Sequence, residues 1–275
     1  MSAILSTEFA TSSFGAWLAK SETLGDTITA HPLNALAATF DRVSPEGIVP
    51  ALWNWLYFLP IAPMSKVGKE GHPTRGSFLP PVPLPRPMSA GGHLTFHGPM
   101  RAGQHATRTS TIADIEDKTG RSGRLVFVAV RHRYEADDKL RIEEEQDIVY
   151  RDAPKRVAAP EGETWTRTLI ADPVLLFRYS ALTFNAHRIH YDLPYTTQEE
   201  GYPGPIVHGP LLADLVHRER PGATLATFAF RAVRPTFAGQ TFTLCGKPWD
   251  DGRTVELWAK DHEGYLKMQA TATLA

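Results

Sequence analysis

A single cysteine, Cys245, stands among the 275 residues, which excludes an intrachain disulfide and the usual thiolate-clustered zinc sites. It falls in the strand-like run Thr241-Phe242-Thr243-Leu244-Cys245, where an inert buried thiol is expected rather than a nucleophile. Net charge is also nearly absent, since 29 basic residues face 30 acidic ones. That balance leaves no overall electrostatic footprint for nucleic acid. No apolar run reaches the length of a membrane span, and the opening MSAILSTEFATSSFGAW lacks the charged start and continuous apolar stretch of a secretion signal. These absences lead us to expect a cytoplasmic protein with no nucleic acid and no membrane as partner. What remains is a globular composition: 42% hydrophobic residues and 6 tryptophans are far from the polar, highly charged makeup of disordered chains.

Organisation along the chain suggests two similar halves. Phe14–Ala19 and Pro32–Phe40 have helix-compatible apolar spacing, with Thr27 or Thr29 available as a cap. The aromatic run Leu52–Leu59 reads as a strand or a buried helix edge, core rather than acyl-binding surface. A Gly- and Pro-rich passage follows from Pro60 to Pro99, too long to be structureless within a compact domain and so expected to be ordered by packing or ligand contact. Strand patterns then cover Gln104–Ile115, Gly123–Tyr134 and Leu140–Tyr150, separated by turns at Asp117–Gly120 and Glu135–Asp138. Polar Arg151–Glu163 reads as a linker. Beyond it come an apolar start at Pro173–Tyr179, a helix pattern at Pro210–Arg218, and strands near Thr224–Arg234, Gln240–Trp249, Thr254–Lys260 and Leu266–Thr273. The pattern P-x-x-x-G-Q occurs at Pro99–Gln104 and again at Pro235–Gln240, before the terminal strands of each half, which suggests a duplicated unit.

Chemistry concentrates between Arg178 and Leu215, in RYSALTFNAHRIHYDLPYTTQEEGYPGPIVHGPLLADL. His187, His190 and His208 lie there, with His217 just beyond. A neutral imidazole near pH 7 can take a proton from water and return one to carbon. In an irregular loop the spacing of Asn185, His187 and His190 can aim all three into one cavity. The His208-Gly209-Pro210 turn opens an apolar helix, where a glycine N–H at the positive helix end is a donor for a developing oxyanion. The plainer reading has these histidines capping turns and satisfying buried backbone.

Several separated strings together resemble the MaoC-type hot-dog hydratases: RYSALTFNAHRIHYD, GPIVHGPLLADL, HPTRGSFLPPVPLPRPMSAGGHLTF and KTGRSGRLVFVAVRHRY. The resemblance runs from about Trp17 to the C-terminus. It is greatest to the branch holding mitochondrial 3-hydroxyacyl-thioester dehydratase and bacterial mesaconyl-CoA (3-methylfumaryl-CoA) and itaconyl-CoA hydratases. It implies an α+β double hot-dog, two tandem units each with an antiparallel sheet wrapped around a central helix. By that resemblance residues 1–151 are expected to form a degenerate acyl-CoA-binding unit and 163–275 the catalytic unit.

By the same resemblance His190 is the base and Gly209 the oxyanion donor. Asn185 stands where the general signature has an Asp; an amide exchanges no protons, so the second proton carrier is open. His187 is the candidate to relay the proton or position water, and Asn185 to hold that water. His208, Tyr191, Arg178 and Arg188 are candidate substrate contacts. Arg188, with Arg178 or Arg234, either binds a free substrate carboxylate or makes an ion pair. Arg75, Arg86, Arg101 and Lys118 are candidates for the CoA phosphates. The implied reaction is hydration of a branched C5 dicarboxylic enoyl-CoA, with 3-hydroxyacyl-thioester dehydration of fatty-acid type as the alternative. No metal or redox cofactor is expected, CoA enters only as part of the substrate, and a homodimer is expected. A thioester-binding module or a hot-dog thioesterase is the competing class; neither Asp192 nor Glu199 stands at the signature's catalytic place.

Overall fold

The computed structural model describes residues 14–74, 76, 78–82, 87–120, 123–150, 156–217 and 224–275. Along β4 (Gly123–Ala136), Val126, Val128, Val130, His132, Tyr134 and Ala136 are buried while their neighbours are not, the period-two pattern of a strand with one covered face. β4 pairs with β3 (His105–Gly120) and with β5 (Lys139–Tyr150). The rest of the sheet is β1 (Ser21–Thr27), β2 (Pro87–Phe96), β6 (Trp165–Ile170), β7 (Leu225–Ala232), β8 (Thr241–Pro248), β9 (Thr254–Asp261) and β10 (Leu266–Leu274). All belong to one 10-stranded sheet of order β1-β3-β4-β5-β2-β7-β10-β9-β8-β6. Followed inward from either edge, the two halves have the same order, and they meet at the antiparallel β2–β7 seam, where Leu94 pairs with Phe228. The fold is a double hot-dog.

The P-x-x-x-G-Q repeat has a structural counterpart in both halves. Gly103 and Gly239 take φ of 93° and 77°, donating their N–H groups to Ile28 O and Ala171 O at 2.8 and 3.0 Å. An isolated bridge joins Ile48 to Arg101 in the first half and Ile206 to Phe237 in the second. Val49 N–H then reaches Met100 O at 3.0 Å, and Val207 N–H reaches Thr236 O at 2.8 Å. After this shared frame the halves diverge. In the second, the chain runs directly into α3 (Gly209–His217), which packs on β8, β9 and β10. In the first, Leu52 turns left-handed at φ 70° and only the 3-10 turn Trp53–Leu56 forms. The central helix therefore belongs to the second unit.

The earlier helices, α1 (Ala30–Thr39) and α2 (Pro173–Leu182), pack on one another. Asp172 caps α2 by accepting Leu175 N–H at 2.9 Å, with Pro173 at the first turn. Phe14–Ala19 shortens to the 3-10 turn Gly15–Trp17. The predicted turn at Asp117–Gly120 is absent: β3 continues through it, with Asp117 opposite Val126. β1, β6 and β2 were not expected as strands. The first two are edge strands with little burial, and β2 begins within the Pro-rich passage, at Pro87. Cys245 is fully buried, and burial pushes its thiol up to about 11, as an inert core residue requires.

One apolar core extends across both units, from Ile28, Leu36 and Tyr134 to Leu211, Phe228 and Phe242. Within it Glu144 anchors the Trp53–Leu56 turn to β5, accepting from Trp55 Nε1 at 2.9 Å, Tyr134 OH at 2.7 Å and Asn54 Nδ2 at 3.4 Å. Burial, and next the charge of Glu144, raises the Tyr134 hydroxyl well above its ordinary value, so it remains a donor. Glu144→Ala leaves these buried donors without their acceptor and should cost about 3 kcal/mol in urea unfolding, with Glu144→Gln costing less. A loss below about 1 kcal/mol for the alanine variant contradicts that anchoring role.

Candidate active site

The loop between α2 and α3 carries the site. α2 ends with Phe184 left-handed at φ 50° and Asn185 N–H bonded back to Ser180 O at 2.9 Å, a closure that reverses the chain. Asn185 Oδ1 then accepts His187 N–H at 3.0 Å. One lone pair of that oxygen is thus used within the loop, leaving the second and the Nδ2 donors for a water. A 3-10 turn at Arg188–His190 follows, and Ile206 N–H returns to Ile189 O at 2.8 Å.

These turns gather the imidazoles. His190 Nδ1 lies 2.7 Å from Ile206 O, and a carbonyl can only accept, so Nδ1 carries the proton and Nε2 presents its lone pair. His190 is 8% exposed, and burial lowers its pKa from 6.5 to about 4, against the opposing pull of the Ile206 bond. His208 stacks on His190 with centroids 3.6 Å apart and planes at 20°. Its Nε2 lies 2.8 Å from Ser180 Oγ, and burial holds it well below the ordinary histidine value. His187 meets His190 edge-on at 5.7 Å.

Gly209 follows His208 in the chain and opens α3. A Cβ built on Gly209 would meet nothing within 4 Å. The Gly209 N–H is the first of the nine-residue helix α3, where the helix dipole favours negative charge. His190 stacks on His208, the residue before Gly209, and an imidazole base with an amide donor is the kind of pair that adding water across a double bond conjugated to a carbonyl calls for.

Not every candidate joins this group. Arg188 takes the ion-pair reading: Nε and Nη2 donate to Asp192 Oδ2 at 2.9 and 2.7 Å, Nη1 donates to Lys69 O at 3.2 Å, and the guanidinium covers the Tyr195 ring at 4.2 Å. Asp192 is committed to this pair and to Tyr195 N–H, and Glu199 pairs with Lys69 at 2.7 Å. Neither is placed as a thioesterase carboxylate. Tyr191 is half-exposed and donates to Ala186 O at 3.0 Å. Arg178 is on the exposed face of α2, and no described contact joins it to the imidazoles. Arg234 lines a cavity of about 380 Å³ with Tyr202, Phe237 and His262. That cavity includes Phe237, which bridges Ile206, but its lining includes none of Asn185, His187, His190 and Gly209. Arg101 is exposed, and Lys118 is exposed and paired with Glu116. Arg75, Arg86 and the side chain of His217 lie outside the described residues. His72, which the sequence reading gave no role, packs on His187 with centroids 4.3 Å apart.

The profile of the hydroxyacyl-thioester dehydratase type 2 family matches residues 52–238, and the chain belongs to that family. It is 45% identical to mesaconyl-C(4)-CoA hydratase of Chloroflexus aurantiacus, over 94% of this chain and 97% of that one. It is 25% identical to the mitochondrial hydroxyacyl-thioester dehydratase type 2 of Schizosaccharomyces pombe, over 85% and 94%. Among solved structures, a MaoC-like dehydratase from Phytophthora capsici shares the fold with a TM-score of 0.67 at 15% identity, over 94% and 96%.

The buried base makes stability depend on pH. As pH falls through 6.5 the unfolded chain binds a proton on His190 that the folded chain refuses until about 4. Stability is therefore highest above pH 6.5 and declines between 6.5 and 4, by about 3 kcal/mol from this residue. Urea midpoints above and below that window should show the loss, and His190→Gln should recover part of it. A wild-type midpoint independent of pH there contradicts the assignment.

Proposed function

We propose that this chain is a hydro-lyase that reversibly hydrates an α,β-unsaturated acyl-CoA, and that its substrate is a branched C5 dicarboxylic enoyl-CoA such as 3-methylfumaryl-CoA, giving citramalyl-CoA. The observation that supports the reaction is His190, fixed by Ile206 O with Nε2 unprotonated and stacked on His208, the residue before the Gly209 amide. Support for the substrate class is the 45% identity to mesaconyl-C(4)-CoA hydratase.

In this reading the thioester carbonyl accepts from Gly209 N–H, which draws electron density from the β-carbon. Nε2 of His190 takes a proton from water as the hydroxyl adds to that carbon. Charge gathers on the thioester oxygen at the helix terminus, where the amide is already oriented. His187, as its imidazolium, then protonates the α-carbon and becomes neutral, the role Asn185 cannot fill. Dehydration is the reverse. These steps call on imidazoles and an amide alone, so turnover should survive exhaustive dialysis against a chelator. Substrate carboxylate recognition is not assigned to Arg188, because it would first have to leave Asp192.

Mixing the protein with 3-methylfumaryl-CoA should remove the enoyl absorbance without releasing free thiol, and His190→Ala should lower kcat on the order of 100-fold or more. Because His190 is neutral down to about pH 4, the acid limb of kcat/KM should fall well below 6.5. Release of free CoA points to hydrolysis and overturns the reading. Preference for crotonyl-CoA overturns only the substrate.

A further inference from the structure

The first unit reaches into the second unit's site through a hairpin at residues 66–74. Val67 bridges Pro73, Gly68 N–H bonds His72 O at 2.7 Å, and Thr74 N–H bonds Lys66 O at 2.9 Å. Glu70 O accepts Arg188 N–H at 2.8 Å. At its tip Gly71 has φ +96°, and a Cβ placed there would stand 1.8 Å from Ala186 O. Only glycine permits that turn and that approach together. Next to it, the His72 ring packs on His187. Exposure falls along the line of rings: His72 is half-buried, His187 and His190 are 8% exposed, and His208 is 1% exposed.

We propose that His72 is the outer end of a proton route His72–His187–His190, supplied by the first unit to the site of the second. The inference rests on the hydration reading above. In each hydration a C–O bond forms at the β-carbon, one water proton goes to His190 Nε2, and the α-carbon gains a proton from His187, which enters the step as an imidazolium. One imidazolium on His190 and one neutral His187 remain. Transfer between these edge-on rings, directly or through one water, resets both. His72 opens the pair to solvent, so protons also enter and leave during turnover. A protonated His72 disfavours charge on His190, which keeps the base free. The neighbouring charges do not compete for the route: Arg188 pairs with Asp192 and Lys69 with Glu199, while Glu70 engages Arg188 through its main chain.

The test compares wild type, His72→Ala, His72→Gln and His190→Ala in steady-state hydration of 3-methylfumaryl-CoA across pH, with and without added imidazole. For both His72 variants kcat should fall on the order of 10-fold with KM changed less than about twofold. The pH profile of kcat should change shape, and free imidazole should restore turnover to the alanine variant. Glutamine keeps hydrogen-bonding capacity without a titrating proton, so it separates proton transfer from packing should alanine disturb the hairpin. Wild-type kcat and pH profile in the glutamine variant overturn the route. Loss of kcat in the alanine variant without imidazole rescue, with the glutamine variant fully active, shows a packing role and overturns it too. If His190→Ala retains wild-type turnover, the hydration reading itself has failed.

Discussion

The hydrogen bond from His190 Nδ1 to Ile206 O, 2.7 Å long, fixes which nitrogen of a buried imidazole can act. An unrestrained histidine exchanges tautomers and titrates near 6.5. Here the carbonyl removes the tautomeric choice, and burial removes the charge. The carbonyl is itself held, because Ile206 bridges Phe237 and its N–H is bonded to Ile189 O. The duplicated frame of the two halves therefore ends, in the second, on the atom that orients the base.

From that point the two units differ in a way that suits the site. The second continues into α3, which opens at Gly209. The first makes one 3-10 turn and uses Trp53 Nε1 to donate to Asp214 Oδ1 of α3 at 3.1 Å. Its long Gly- and Pro-rich passage is ordered in part by packing, as its length implied, and its hairpin closes on the loop between α2 and α3. A unit without a central helix of its own thereby stabilises the helix and the loop of its neighbour.

Much of this was legible from residue type. Gly-Pro at a helix start and clustered histidines in a Pro-bounded loop carry local chemistry, so the neighbourhood of His190 and Gly209 could be read directly. For Arg188 an ion pair and carboxylate binding were held equally open, and Asp192 at i+4 was not picked out as its partner. β1 and β6 were invisible because edge strands with little burial have no apolar alternation, and the Asp117–Gly120 turn was misread because polar composition also suits an exposed strand. The place of His72 could not be read from its surroundings: its contact with His187 exists only after the sheet brings the two units together.

The central claim is that His190 stands neutral, with Nδ1 protonated and Nε2 free, across the physiological range. Nitrogen-15 NMR of the ring reads both facts at once. The account predicts a pyrrole-type Nδ1 and a pyridine-type Nε2 at neutral pH, with no titration until pH approaches about 4. An Nε2-protonated ring, or a titration centred near 6.5, would contradict it.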